Sequence, residues 1–437
     1  TEKLRVEQKA QSETLELNKP TERILGGGEK HNYQIKLAAG QLLHIVVEQK
    51  QINVRPTLLD PNGKKVAEVN YAVGVIGTEH LYYVGEENGV YELSIRAEYE
   101  TALAGRYRVE IIELRAATQS DEKRMTAEHQ LRAAKEFYEL KNDNASRQSA
   151  EMFEEATRLY RELGDARGEE IALTESALIY NGLGDARGAL ENLNRALELN
   201  RSLGNRSKEA YNFNIIAEVH YKIGEYHKAY EIAERALAIH RELGDRYGEA
   251  FTLAQISLAK GSLGEKREAI AGLKKAWELL RTTGSPGRFE AFASNSTASW
   301  YSDIGEYQNA LDAYQHTLEV LKRSPSSQIE RTVLGNLGHI YNLLGDYEKS
   351  IEYSEKTLAL ERAAGARPHE VLTLNNLGRA YENRGELSKA YDLYSAALKL
   401  SREIKNPRGE SKSLLNIGAL SLKTRSLKKR KSISNRC

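Results

Sequence analysis

The sequence predicts an α+β multidomain chain, an N-terminal antiparallel β-sandwich over residues 1–117 followed by an all-α solenoid of repeated helix pairs over 118–422. Three observations predict it. Up to about residue 115 the chain holds short β-branched or aromatic runs punctuated by Gly, Asn and Pro, and beyond that point it is rich in Ala, Leu, Glu, Arg and Tyr. A phrase then recurs: LLGDYEKSIEYSEKTLAL at 343–360 is followed forty residues later by NRGELSKAYDLYSAALKL. The small residues Ala156, Ala196, Ala236, Ala276, Thr317, Thr357 and Ala397 keep that step, with one interval of 41, and a glycine column runs in register with them at Gly184, Gly224, Gly264, Gly305, Gly345 and Gly385. A constant step of this length is the mark of a stack of helix pairs, because each pair buries its apolar face only against its neighbours.

In the front part, 31–37, 41–49, 52–60, 64–70, 79–85, 89–98 and 105–114 alternate apolar and polar residues and are separated by turn residues every eight to twelve positions, the pattern of a sandwich. Pro61-Asn62-Gly63 is a turn in which Gly supplies positive φ. Gly26-Gly27-Gly28 lacks the lysine of a phosphate loop and precedes a strand, so a turn is expected there. His31, His44 and His80 are too dispersed to predict a metal site.

Each forty-residue unit reads as two amphipathic helices. Gly takes the left-handed position after the first, and Asp185, Glu225, Glu265, Glu306, Asp346 or Glu386 is expected to cap the second through its side chain. The junctions RELGDARGEE, RSLGNRSKEA and RELGDRYGEA end the units at Gly164, Gly204 and Gly244. Ala177, Ala217, Ser257, Ala298, Gly338 and Gly378 on the first helices face close approach, as do Ala189, Ala229, Ala269, Ala310, Ser350 and Ala390 on the second. The column Tyr180, Tyr301, Tyr341 and Tyr381, interrupted by His220 and Lys260, is expected to pack between helices with its hydroxyls reaching the edge.

LNNLGRAYENRGELSKAYDLYSAAL at 374–398 resembles a tetratricopeptide repeat, with Leu377, Gly378, Tyr381, Gly385, Ala390, Tyr394 and Ala397 in its signature columns. The step is longer than the common 34 residues and is similar to the forty-residue class of kinesin light chains and bacterial regulators. The resemblance covers about residues 120–420 and implies a concave groove on the first helices, lined here by Asn214, Glu218, Tyr221, Lys222, Asn295, Asn336, His339, Asn342, Asn375, Asn376, Arg379 and Asn383. Asparagine weakens a helix interior, so these amides either clamp an extended peptide backbone or bond adjacent helices to one another.

The wording GGGEKHNYQIKLAAGQLLHIVVEQ with TLLDPNGKKVAEV and GVYELSI resembles the pre-peptidase C-terminal type of sandwich. Sandwich followed by forty-residue repeats resembles the N-terminal half of bacterial CHAT-domain proteins, in which a caspase-like peptidase domain follows; no such domain lies within these 437 residues. Two readings stand beside each other. One is a non-catalytic scaffold holding a protein or peptide segment in the groove. The other is the sensor half of a CHAT protease system.

The remaining features bound these readings. A formal net charge of +1 carries no overall bias toward nucleic acid or membrane, no stretch is apolar for eighteen residues, and Thr1 in place of Met points to a processed start. The single cysteine, Cys437, supplies neither a disulfide framework nor a thiolate metal site. HExxH, CxxC and GxSxG are absent, so no catalytic residue, metal or cofactor is expected. Lys423, Arg425, Lys428, Lys429, Arg430, Lys431 and Arg436 make 423–437 a basic tail, expected to be disordered, and no aromatic residue accompanies them toward nucleic-acid binding. The sandwich resemblance leans toward an exported protein, with a cytoplasmic one as the alternative.

Overall fold

A computed structural model describes residues 13–71, 76–98, 102–140, 142–281 and 287–434, the backbone alone at 143, 287–288 and 427–434. The chain divides into two compact units, Thr1–Ser285 and Pro286–Cys437.

The first unit opens with two sheets. One has the order β1 (Glu13–Thr14), β3 (Lys30–Leu37), β8 (Gly89–Ala97), β5 (Val54–Leu59) and β6 (Lys65–Glu68); the other runs β2 (Thr21–Leu25), β9 (Gly105–Ala116), β4 (Gln41–Lys50) and β7 (Ile76–Val84). Neighbours are antiparallel except β1 and β3, which run parallel. Sequence reading missed β1 and β2, because a two-residue strand and the polar run TERIL carry no alternation. Elsewhere the period of two is plain: Tyr33, Ile35 and Leu37 of β3 are buried while Gln34 and Lys36 face solvent. Gly63 adopts φ 81° in the turn after β5, and the Glu29 carboxylate accepts the Gly26 amide at 2.6 Å, closing the triple-glycine turn.

Eight helices follow in the first unit: α1 (Gln119–Tyr138), α2 (Asp143–Leu163), α3 (Ala166–Leu183), α4 (Ala186–Ser202), α5 (Arg206–Lys222), α6 (Tyr226–Leu243), α7 (Arg246–Ser262) and α8 (Lys266–Arg281). The second unit holds α9 (Gly287–Asp303), α10 (Tyr307–Arg323), α11 (Ser327–Leu344), α12 (Tyr347–Ala363), α13 (Arg367–Arg384), α14 (Leu387–Glu403) and α15 (Pro407–Ser434). Odd-numbered helices are the first members of the pairs. Over 423–434 the tail expected to be disordered is helical, as α15 continues to Ser434, and 435–437 lie outside the described residues. Lys, Leu and Ser sustain a helix there even though the apolar period has faded.

Gly184, Gly345 and Gly385 end their helices at φ 81°, 83° and 94°, the conformation the repeat predicts. The carboxylates that follow divide by length. Asp185 accepts from the Gly188 amide at 3.0 Å and Asp346 from the Lys349 amide at 3.1 Å, and so do Asp165, Asn205 and Asp245 at the other junctions. Glu225, Glu306 and Glu386 make no side-chain cap, which corrects the expectation for them. Their extra methylene carries the carboxylate past the amides to Lys228, Asn309 and Lys389 one turn on.

The predicted small residues are at the helix contacts, with Ala177, Ala189, Ala269, Ala298, Ala310 and Ala390 fully buried. Two members of the tyrosine column reach the preceding second helix with their hydroxyls: Tyr180 donates to Glu154, and Tyr381 to Glu355 at 3.3 Å.

The sandwich and the first helix pair share one core, running from Tyr33, Leu43 and Leu93 through Ala127 and Leu131 of α1 to Phe153 and Tyr160 of α2. The sandwich and the first helix pair, which meet between Ala116 and Gln119, are therefore parts of one continuous apolar body. Thr118 starts α1 with a reciprocal capping box to Asp121, and the Arg115 guanidinium, 2.7 Å away, holds the Asp121 carboxyl well below the usual range. The edges of β6 and β7 lie against odd-numbered helices. Arg132 of α1 donates to the Val66 carbonyl at 2.6 Å, Ser207 of α5 to the Ile76 carbonyl at 3.3 Å, and Lys208 to the Tyr71 carbonyl. Each contact satisfies a single carbonyl at or beside a strand edge and leaves the other edge groups to be accounted for separately.

Candidate functional site

The polar residues of the odd-numbered helices fall into two classes, and their hydrogen bonds decide which. In the first unit Asn214 is buried. Its Oδ1 accepts from Thr252 Oγ1 at 2.9 Å, its Nδ2 meets His240 Nε2 at 3.3 Å, and its backbone carbonyl accepts from Gln255 at 3.2 Å. His240 is held in turn by Asp245, Nδ1 to Oδ2 at 2.9 Å. Glu218 accepts from Asn181 at 3.1 Å and pairs with Lys222 at 2.8 Å, and Tyr221 lies 3.2 Å from Ser262 Oγ.

The second unit repeats the device. Asn375, 1% exposed, donates to Ser413 Oγ at 3.0 Å and accepts from Asn416 at 2.8 Å; Asn383 donates to Asn342 at 3.1 Å. Glu382 takes Tyr394 Oη at 3.0 Å and Lys423 at 3.2 Å. Apart from the Glu218–Lys222 pair inside α5 and the His240–Asp245 contact at the start of α7, these bonds join one odd-numbered helix to the next, to its own partner or to α15. Of the two roles expected for the asparagines, Asn214, Asn342, Asn375 and Asn383 serve the second, bonding neighbouring helices. That bonding offsets their cost to the helix.

What remains is a smaller group on α9, α11 and α13. His339 and Arg379 occupy equivalent positions in successive repeats, as do Asn336 and Asn376, and all four are half-buried. His339, Asn376 and Arg379 make no hydrogen bond or ion pair among the described residues. Burial, and then the Arg379 charge, push the His339 pKa down, so its imidazole is neutral at pH 7 beside a cation. Asn336 and Ser299 lie by the Tyr314 phenol, which burial raises to about 12 against their opposing effect. Asn295 keeps a buried Oδ1 without a partner among the described residues. A guanidinium, a neutral imidazole and the Asn376 amide together offer donors to carbonyl or carboxylate oxygens and acceptors to backbone N–H groups.

Sequence reading missed one other constellation. His44 and His80 are neighbours on β4 and β7, joined Nε2 to Nδ1 at 3.0 Å, with Glu113 3.2 Å from His44 and Arg167 of α3 3.1 Å from His80. Tyr82 stacks on His44 at 3.9 Å, and Arg124 of α1 lies over its ring at 4.4 Å. Burial depresses His44 to about 4 and His80 to about 3, with the two arginines adding to the effect. Thirty-six residues separate the pair in sequence, and only strand register brings them together. His31 lies apart, bonded to Tyr107 at 2.7 Å. Among the described residues no group of three or more His, Cys, Asp or Glu side chains is placed to hold a metal ion. None of the described helices is long and apolar enough to cross a membrane.

Comparison with known proteins agrees with this architecture. The tetratricopeptide repeat family matches residues 209–282, 288–363 and 329–403. No curated protein matches the chain. Among solved structures, the apo form of RapI is 14% identical and superposes with a TM-score of 0.51, covering 64% of this chain and 98% of its own. BtubC from P. vanneervenii is 20% identical with a TM-score of 0.45, covering 49% of this chain and 91% of its own. A signal transduction ATPase with a tetratricopeptide repeat sensor from Pyrococcus horikoshii is 17% identical with a TM-score of 0.48, covering 73% of this chain and 55% of its own. The helices that follow the sandwich form a tetratricopeptide-repeat solenoid.

Proposed function

We propose that the chain is a non-catalytic interaction scaffold that holds an extended segment of a partner protein against the first helices of the second unit. The observation that carries this reading is the set His339, Asn376 and Arg379, half-buried on successive odd-numbered helices and uncommitted, while their neighbours are spent on the helix stack. Polar side chains are ordinarily paired when they are partly desolvated, so this remainder is where a partner's backbone finds donors and acceptors. Recognition of backbone over a shaped surface makes modest sequence demands.

A peptide-array comparison tests it. The double variant Asn376→Ala, Arg379→Ala is expected to lose binding by about tenfold or more while keeping its circular dichroism spectrum, since neither side chain bonds one helix to another among the described residues. Unchanged binding by the folded variant removes these residues from the site. The alternative, the regulatory half of a CHAT protease system, is supported by the order of sandwich and forty-residue repeats. Translating the DNA beyond Cys437 in all three frames tests that reading, which requires a caspase-like domain there.

A further inference from the structure

We propose that the cleft between β6 and α1 is a second docking site, one that takes an extended, basic segment of a partner as an added strand. It is independent of the face on the second unit. Among the described residues strand β6 is the end of its sheet and pairs with β5 alone. Ala67 lies opposite Leu58, and the Val69 amide donates to the Pro56 carbonyl at 3.2 Å, so these residues turn their backbone groups inward to β5. By the alternation of an antiparallel ladder Glu68 turns its groups outward, and Val66, at the register shift, turns its carbonyl to α1. The Val66 carbonyl is occupied by Arg132. The outward N–H and C=O of Glu68 open onto a cleft of about 620 Å³ whose far wall is α1. That volume falls within the range of ordinary ligand sites, and an edge strand facing a helix across a gap is the shape that strand addition requires.

Charge sets the kind of partner. Most of the cations lining the cleft are already engaged: Arg55 is bidentate to Glu98 at 2.8 and 2.6 Å, Lys65 pairs with Glu68 at 3.4 Å, and Lys135 pairs with Glu175 at 3.3 Å while lying over the Tyr71 ring. Glu136 in the last turn of α1 and Glu139 just past its end line the same cleft without an ion pair among the described residues. Arg132 meets only the neutral Val66 carbonyl, so two carboxylates stand against one guanidinium and the balance of the cleft is negative. A segment with basic side chains on alternate positions would meet it while its backbone pairs with Glu68.

The test uses the full chain and an acetylated octapeptide alternating valine and lysine, followed by fluorescence anisotropy at low salt. Two N-methylated versions block alternate amides, one set on each edge of the extended peptide. Expected are binding of the parent peptide, loss of about tenfold or more for one methylated version and little change for the other, and a similar loss in the Glu136→Lys, Glu139→Lys variant. Hydrogen exchange at the Glu68 amide should slow on binding. Equal binding of a valine–glutamate peptide, equal effects of the two methylated versions, indifference to the charge reversal, or no binding of the parent peptide would each overturn the proposal.

Discussion

Lowering the pH from 7 to about 4 is expected to destabilise the first unit through the histidine pair that joins β4 and β7 to α1 and α3. In the unfolded chain both imidazoles protonate near 6.5, whereas in the folded chain burial and the guanidinium groups of Arg124 and Arg167 hold them near 4 and 3. Between those values the unfolded state binds more protons. Stability is therefore complete above pH 6.5 and is lost as pH falls through the folded values. For His44 alone, a displacement from 6.5 to about 4 corresponds to on the order of 3 kcal/mol. The shared 3.0 Å contact means that the two titrate as a pair, and a proton on either places like charges together. Glu113 opposes the effect from β9, and Glu128 and Asp165 contribute negative field at Tyr82. Urea unfolding followed across this range checks the expectation: the midpoint should fall with pH in the native chain and fall much less in a His44→Gln, His80→Gln variant. Parallel curves would remove the pair as the cause.

Replacing Gly168 by alanine is expected to cost about 2 kcal/mol or more, although alanine is the better helix former. A Cβ there would lie 2.2 Å from the ring of Tyr160, which is 1% exposed and fixed by a 2.8 Å hydrogen bond from its hydroxyl to Glu128. The ring has nowhere to go, so overlap outweighs propensity. Gly418→Ala is the matched control. That glycine is also helical, meets nothing within 4 Å, and its replacement is expected to stabilise by about 0.5–1 kcal/mol. Thermal or urea denaturation of the two variants should move in opposite directions; two shifts of the same sign would contradict the packing argument.

Gly168 also shows how far the sequence could be read. The forty-residue step, the glycine that ends each first helix and the small-residue columns are periodic, and periodic features announce geometry directly. The second glycine of LGDARGEE recurs at Gly248, where a Cβ would lie 2.1 Å from His240, but its reason is a ring three-dimensionally opposite and invisible in the string. The asparagines divide in the same way. That they mattered was legible from their poor helix propensity, but whether each faces a partner or the next helix depends on residues 38 or 41 positions away, such as Ser413 and Asn416 for Asn375. A search for polar residues at those two offsets would have separated Asn375 from Asn376. The cap residues teach a smaller lesson, since Asp and Glu are interchangeable in the repeat's wording and only Asp is short enough to cap. His44 and His80 carried no local signal, because strand register alone makes them neighbours.

The central claim is that the first helices of the second unit hold a partner segment through the side chains the helix stack leaves free. Hydrogen exchange on the full chain, with and without a peptide selected from the array, tests it most directly. The account predicts slowed exchange and altered side-chain accessibility along α9, α11 and α13 around Asn336, His339, Asn376 and Arg379. Protection confined to α10, α12 and α14, with α11 and α13 unchanged, would contradict it.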